Sequence, residues 1–230
     1  MLPPMQPNPH AAVILLSGGQ DSATCLAWAM KRFRQLYAVT IDYGQRHVVE
    51  LDAAVTIAKR AGIQQTVIPC DSFRVLGGNA LTGSEAVEDG VRAEDHLPNT
   101  FVPGRNLIFL TLAAAYAYQR GISEIVTGVC QTDYSGYPDC RAETMAALQQ
   151  SLRTGMAAPF TIHTPLMHLT KAETVKMITD LGHLDLLAWS HTCYNGNVPP
   201  CGTCPACELR AKGFREAGVP DPLMERLRGK

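Results

Sequence analysis

The sequence lacks several things, and each absence removes a class of function. No run of apolar residues is long enough to cross a bilayer, and no basic-then-apolar leader pattern stands near the start. The expectation is therefore a cytoplasmic chain with no membrane partner. Charge of one sign is not in excess: 20 Lys and Arg stand against 21 Asp and Glu, a formal net charge of -1. The basic residues are scattered apart from Lys31-Arg32-Phe33-Arg34 and Arg226-Leu227-Arg228. Phosphate contacts dominate nucleic-acid affinity, so this balance favours small-molecule substrates with no direct nucleic-acid partner. There is no internal repeat and no low-complexity block. The phosphate-binding motif Gly-x-x-x-x-Gly-Lys-Ser/Thr is missing, and so is Gly-x-Gly-x-x-Gly.

What is present is an apolar run, Ala12-Val13-Ile14-Leu15-Leu16, that feeds the turn Ser17-Gly18-Gly19-Gln20-Asp21-Ser22. The turn opens onto Ala23-Thr24-Cys25-Leu26-Ala27-Trp28-Ala29-Met30, which reads as a helix. A strand, a glycine turn and a helix N-terminus together make an anion site. The glycines let backbone N–H groups approach a ligand, the helix dipole favours negative charge, and Ser17 and Ser22 add hydroxyl donors. The plainer alternative is a serine- and glycine-rich helix cap.

Further along, Leu36–Ile41 is a β-branched and aromatic run that predicts a second strand. Residues 48–61 carry apolar side chains at helical spacing and stop at Gly62, and 65–69 is a third short strand. This β-α-β-α-β order predicts a parallel sheet with right-handed crossovers. Residues 71–105 break the rhythm and are expected to form a lid or mobile loop. A mostly buried helix over 106–120, a strand over 124–129, a helix over 139–154 and a strand over 160–165 follow. Thr170 and Glu173 have capping-box spacing, which starts one more helix that ends before Gly182. The fold class is therefore α/β: an open, mostly parallel sheet of about five strands, helices on both faces, Rossmann-like. The expected organisation is a flexible tail over 1–10, an α/β domain carrying the anion turn over 11–187, and a C-terminal knuckle and helix over 188–230.

Eight cysteines are present. Without a secretory signal, clustered thiols point to metal or catalysis rather than disulfides. Cys201, Cys204 and Cys207 form two interlocked Cys-x-x-Cys steps with glycine and proline between them, and Cys193 precedes them across a seven-residue gap. Four thiolates with no open position indicate one structural zinc ion. A redox pair, for which two cysteines suffice, and an iron–sulfur cluster are the rival readings. His191 is a substitute ligand or, more simply, a hydrogen-bonding neighbour of the cluster. Cys130 and Cys140 flank a segment at the end of the fourth strand, where ligands bind in open sheets, and a catalytic cysteine there is a further alternative.

Ser-Gly-Gly-x-Asp-Ser after the first strand resembles the pyrophosphate loop (PP-loop) of the N-type ATP pyrophosphatases. These are adenine nucleotide α-hydrolase-like enzymes that cleave ATP between the α and β phosphates and adenylate an oxygen. The ordered set is more specific. It comprises this loop, Asp42-Tyr43-Gly44-Gln45-Arg46-His47, Val102-Pro103-Gly104-Arg105-Asn106, Asp133 to Arg141, Leu169-Thr170-Lys171-Ala172-Glu173 and the four-cysteine tail. Over about 12–214 it resembles the 7-cyano-7-deazaguanine synthases, nitrile-forming enzymes of queuosine biosynthesis. The resemblance implies an ATP-dependent carbon–nitrogen ligase acting on 7-carboxy-7-deazaguanine, ammonia and ATP, and a homodimer. It implies ATP contacts along Leu16, Ser17, Gly18, Gly19, Gln20, Asp21, Ser22, Ala23, Thr24, Cys25 and Leu26, with Arg105 and Lys171.

By chemical type, Asp21 is then a direct or water-mediated magnesium ligand, with helix capping as its alternative use, and Arg105 and Lys171 compensate phosphate charge, with surface ion pairing as theirs; these three are the expected catalytic residues. Asp139 or Asp133 is expected to accept N–H donors from the guanine-like edge while Tyr134 or Tyr137 stacks, with Arg141 meeting the substrate carboxylate. Turn chemistry is the alternative use of that segment. His47 is a candidate for handling protons from ammonia. No glutaminase segment is evident, so ammonia is expected from solution. A tRNA-modifying, thiolase-like adenylating enzyme is the nearest alternative, and a zinc-stabilised nucleotide-binding module is another.

Overall fold

A computed structural model describes residues 8–45, 48–83, 91–92, 96–132 and 136–229. Five strands form one parallel sheet: β1 (Ala11–Leu15), β2 (Gln35–Asp42), β3 (Gln64–Pro69), β4 (Glu124–Val126) and β5 (Thr161–His163). Their order is β3-β2-β1-β4-β5. The chain leaves β1 toward β2 and β3, then returns to lay β4 on the other side of β1. The gap beyond the C-terminal ends of β1 and β4 is therefore a topological switch point, the place where open α/β sheets bind ligands.

Strand β1 is apolar throughout because both faces of the sheet are covered. Ala12, Ile14 and Leu16 enter one core, and Ala11 and Val13 enter the other. Alternation with a period of two sends successive residues to opposite faces. The first core is closed by α1 (Gln20–Met30), α2 (Val48–Arg60) and α6 (Lys171–Asp180), together with Phe214 of α7 (Pro205–Ala217). The second takes Phe73 from the short α3 (Ser72–Leu76), Leu110 and Ala113 from α4 (Arg105–Tyr118), and Met145 and Leu152 from α5 (Ala142–Met156). Thr170 and Glu173 form the expected capping box at the start of α6.

Three expectations are corrected in detail. Strand β4 ends at Val126 rather than at 129, because Thr127, Gly128, Val129 and Cys130 leave the ladder and line a cavity. Strand β5 is likewise confined to Thr161–His163. The helix expected over 139–154 is split: Pro138–Cys140 is one 3₁₀ turn, Arg141 is extended, and α5 begins at Ala142. The break follows from Asp139, whose Oδ2 turns away to accept the Asn106 N–H at the start of α4.

Within 71–105, Phe73, Leu81 and Val102 are buried in the second core, and Asn79 Oδ1 accepts the N–H groups of Leu81 and Thr82. Near the start of the chain, Asn8 N–H donates to Gly121 O, and the Arg34 and Gln35 N–H groups donate to His10 O. The last helix, α8 (Pro222–Arg228), follows a cap by Asp221, whose side chain accepts the Leu223 N–H. Helix α7 packs closely on α6: a Cβ on Gly213 would sit 2.7 Å from Lys171 Cβ, so glycine lets α7 approach the base of that lysine. No described helix is long and apolar enough to cross a membrane.

Candidate active site

The Ser17–Ser22 turn sits at the switch point and is pinned from every side. Leu16 N–H donates to Val39 O, and Thr40 Oγ1 donates to Leu16 O at 2.6 Å. The Gly18 N–H reaches Ser22 Oγ (3.2 Å), the Gly19 N–H reaches Ser17 Oγ (3.3 Å), and the two hydroxyls are 3.1 Å apart. Gly18 has φ +93°, and a Cβ there would lie 2.3 Å from Glu50 O and 2.7 Å from Ala54 N. Only glycine fits, because α2 crosses directly over the turn. The N-terminus of α1 begins here with Asp21 in its first turn. Its leading N–H groups lie beyond the reach of the intrahelical ladder and suit an anion.

A cavity of about 290 Å³ opens over this turn. On its floor Lys171 Nζ donates to Asp21 Oδ2 at 2.5 Å, joining the starts of α6 and α1. Asp21 Oδ1 and Gln20 Nε2 are buried without a hydrogen-bond partner among the described residues. A buried carboxylate oxygen left open beside an anion cradle fits a hard divalent cation that accompanies phosphate.

The opposite wall carries Arg105, Tyr43, Tyr137, Tyr194 and Glu50. The Arg105 guanidinium lies 5.9 Å from the ring centres of both Tyr43 and Tyr137. Burial works against its charge, but Tyr43, Tyr137, Tyr194 and Asp139 outweigh that cost and keep it protonated. Burial also pushes the Tyr43 phenol up to about 12. Burial raises the Glu50 carboxyl to about 7, with Arg105 pulling in the other direction.

Of the residues expected from sequence, Leu16, Ser17, Gly19, Gln20, Asp21, Ser22, Arg105, Lys171 and Tyr137 are brought together around this cavity. Ala23, Thr24, Cys25 and Leu26 are fully buried inside α1 and do not line it. Arg141 lies in a smaller adjoining recess of about 110 Å³ with Gln131, Gly136, Tyr137 and Cys130. Asp139 is buried and lines neither space, being engaged at the α4 cap. Asp133, Tyr134 and His47 lie outside the described residues. Cys130 and Cys140 both border the cavity; Cys130 Sγ meets Leu169 O at 3.3 Å, and Asn106 Nδ2 donates to Cys140 Sγ at 3.3 Å.

Glu50, Tyr194 and Arg210 were not singled out from sequence. Glu50 looks like one more polar position in an amphipathic helix. Tyr194 and Arg210 flank cysteines that draw attention to themselves.

The four thiols of Cys193, Cys201, Cys204 and Cys207 converge, with their sulfurs within 4.8 Å of one another. Tetrahedral thiolate coordination at the usual Zn–S length separates sulfurs by roughly 3.8 Å, and Cys201 Sγ and Cys207 Sγ are already 3.9 Å apart. The hydrogen bond from the Cys207 thiol pulls the Cys204 thiol down to about 4, the thiolate form a metal requires. His191 is not a member of the cluster. Its backbone N–H donates to Gly18 O at 2.9 Å, so the strand of chain that enters the cluster also braces the anion turn.

That strand is fixed by Arg210, which is only 4% exposed. Its Nε and Nη2 grip Asp221 at 2.6 and 2.8 Å, Nη1 donates to Ser190 Oγ and Thr192 Oγ1, and Nη2 also reaches Leu187 O. All five N–H donors of the guanidinium are thereby used.

A family model described as "Queuosine biosynthesis protein QueC" matches residues 11–218. A 7-cyano-7-deazaguanine synthase of Chromobacterium violaceum is 64% identical over 224 residues, covering 96% of each chain. Another, of Laribacter hongkongensis, is 60% identical over 223 residues, covering 96% of this chain and 97% of that one. Among solved structures, a 4-thiouridine synthetase in complex with RNA and bound ATP aligns over 96% of this chain and 50% of its own, with a TM-score of 0.51 at 17% identity. That likeness is one of fold. With a match across nearly the whole described fold and the anion turn at its switch point, the chain belongs to the queuosine biosynthesis protein QueC family.

Proposed function

We propose that the protein is an ATP-dependent carbon–nitrogen ligase that converts 7-carboxy-7-deazaguanine and ammonia into 7-cyano-7-deazaguanine. The observation that carries this reading is the shared cavity of the Ser17–Ser22 turn, the Asp21–Lys171 pair and Arg105 in a chain so similar to named synthases. A carboxylate is a poor acyl electrophile because its oxygen is a poor leaving group. Attack of that oxygen on the α-phosphorus of ATP expels pyrophosphate and makes the oxygen part of a phosphate leaving group. Ammonia then displaces AMP to give the amide. A second adenylation, now on the amide oxygen, lets the C–O bond break again as the nitrile forms.

Each role follows from position. The Ser17–Ser22 turn and the α1 N-terminus receive the pyrophosphate. Arg105 and Lys171 supply the positive charge that a transferring phosphoryl group demands. Asp21 is the residue that would hold magnesium, which when bound would supply charge neutralisation to the phosphates. Tyr137 and Arg141 border the recess beside the nucleotide cavity and are our candidates for stacking on the deazaguanine and meeting its carboxylate. We assign zinc to the four-cysteine knuckle as a structural ion, and to Leu81 a place in the cavity wall; residues 84–90 and 93–95 of the expected lid lie outside the described residues.

The tRNA-modifying alternative has no specific support from the cavity. Replacing Cys130 or Cys140 with serine is expected to leave nitrile formation intact, whereas a thiolase would lose activity. Mass spectrometry of the product from 7-carboxy-7-deazaguanine, ATP and ammonium tests the whole reading. The expected product is the nitrile; recovery of the acid alone, or of the amide with no nitrile, would overturn it.

A further inference from the structure

The amidation step needs a proton acceptor that none of the roles above supplies. At neutral pH ammonia is almost entirely ammonium, which has no lone pair with which to attack. Among the described residues the cavity has one carboxylate besides Asp21, that of Glu50 in the first turn of α2. A Cβ on Gly19 would lie 3.8 Å from Glu50 Oε1, so this oxygen stands directly beside the pyrophosphate turn. No lysine or arginine among the described residues forms an ion pair with it. Arg105 shares the wall, its guanidinium 5.9 Å from the Tyr43 ring centre, and its charge favours the ionised form of Glu50. Tyr43 and Tyr194 also face Glu50 closely enough to interact electrostatically with it.

A carboxylate in a partly dry wall of aromatic rings is destabilised until a small cation joins it, and ring faces attract the same cation. We propose that Glu50 binds ammonium in this cavity and takes its proton, making Glu50 a catalytic residue of the amidation step; the inference rests on the ligase reading above. One N–H bond of ammonium breaks, its proton passes to the Glu50 carboxylate, and the freed lone pair forms the C–N bond at the acyl carbon. The C–O bond to AMP breaks with its electron pair, and the adduct nitrogen releases its extra proton to water. Glu50 is partly exposed and returns its own proton to solvent. In the second half the nitrogen gives up two more protons as the nitrile forms, beside the same carboxylate.

Among the described residues, the other titratable or charged groups lining the cavity are Asp21 and Lys171 on the floor, Arg105, Tyr43, Tyr137 and Tyr194 on the wall, and His191, Arg210 and the thiols of Cys130, Cys140 and Cys193.

Glu50→Gln tests the assignment. Acid-dependent exchange of pyrophosphate into ATP reports the first adenylation, which uses no ammonia, and is expected to survive. Amide formation is expected to slow by ~10²-fold or more, with a raised KM for ammonium and an unchanged dependence on magnesium. Loss of the exchange reaction, or a shifted magnesium dependence, would overturn the proposal and make Glu50 a nucleotide or metal ligand. So would an ammonium KM and amidation rate equal to those of the wild type.

A second measurement needs no variant. Wild-type kcat/KM for total ammonium is expected to level off above pH 7, where the Glu50 carboxyl, raised to about 7, has ionised. A continued rise in proportion to free ammonia would contradict the proposal. If the wild type makes no nitrile at all, the ligase reading has failed instead.

Discussion

Arg210 offers the sharpest test of how the cysteine knuckle and the nucleotide turn are built as one unit. Its guanidinium is buried against Asp221 and holds Ser190, Thr192 and Leu187, and the next backbone group, His191 N–H, braces Gly18 O. Arg210→Met keeps the volume and removes all five donors. It leaves the Asp221 carboxylate, whose side chain is 12% exposed, without its counter-charge. Breaking one partner of a buried pair costs about 3–5 kcal/mol. In a chain of this length about 1 kcal/mol moves the melting temperature by roughly 2–4 °C, so the variant is expected to melt about 6–20 °C lower.

The loss is expected to reach the active site. Freed from Ser190 and Thr192, the segment carrying His191 no longer fixes the turn, and ATP affinity is expected to fall with stability. Arg210→Lys is expected to recover only part, because an ammonium cannot make the two-pronged contact with Asp221. Thermal melting and ATP titration by calorimetry on metal-loaded protein read both effects. A variant that melts within about 2 °C of the wild type would refute the estimate, since less than about 1 kcal/mol would then separate them. A large loss of stability with unchanged ATP affinity would refute the link to the turn.

Other consequences are equally open to measurement. Gly18→Ala places a left-handed alanine, ~1–2 kcal/mol, against the Glu50 and Ala54 backbone, where overpacking adds ~1–3 kcal/mol; denaturant melts are expected to show the sum and ATP binding is expected to be lost. Glu50→Gln is expected to be more stable than the wild type above pH 7. The raised folded-state value means stability falls as pH rises from the unfolded carboxyl range through about 7, and the variant lacks that penalty.

Glu124 behaves in the opposite sense. The hydrogen bond with His163, at 2.6 Å, holds its carboxyl below the usual range. Its stabilisation is present above the unfolded value and lost as pH falls through the folded one, so Glu124→Gln is expected to flatten the acid limb of a pH–melting curve. Cys204→Ala is expected to abolish metal binding by elemental analysis and to lower the melting temperature; unchanged metal content would remove Cys204 from the ligand set.

Much of this architecture was legible because local chemistry and global fold agree. The alternation through β1, the glycine turn, the capping box of Thr170 and Glu173 and the cysteine spacing each depend on neighbours in sequence. The parts that escaped depend on partners far apart. Asp139 reads from its segment as a purine-recognising carboxylate, and nothing local shows that its Oδ2 accepts the N–H of Asn106, thirty-three residues earlier. The expected ATP-contact run extends into α1, where Ala23–Leu26 are buried in the core and only the turn and the first residues of the helix border the cavity. Glu50 carries no motif. Its position over Gly18 and Gly19 comes from α2 crossing the turn, a packing fact that no spacing in the chain records. The same holds for Arg210, whose five bonds reach four residues in two separate stretches, 187–192 and Asp221.

The central claim is that one anion turn serves two successive adenylations of the same substrate carbon. Counting AMP, pyrophosphate and nitrile together over a single time course, with 7-carboxy-7-deazaguanine limiting, tests it most directly. The account predicts two AMP and two pyrophosphate for every nitrile, with the amide appearing as an intermediate after the first of each. One AMP per nitrile, or release of ADP and phosphate, would contradict it.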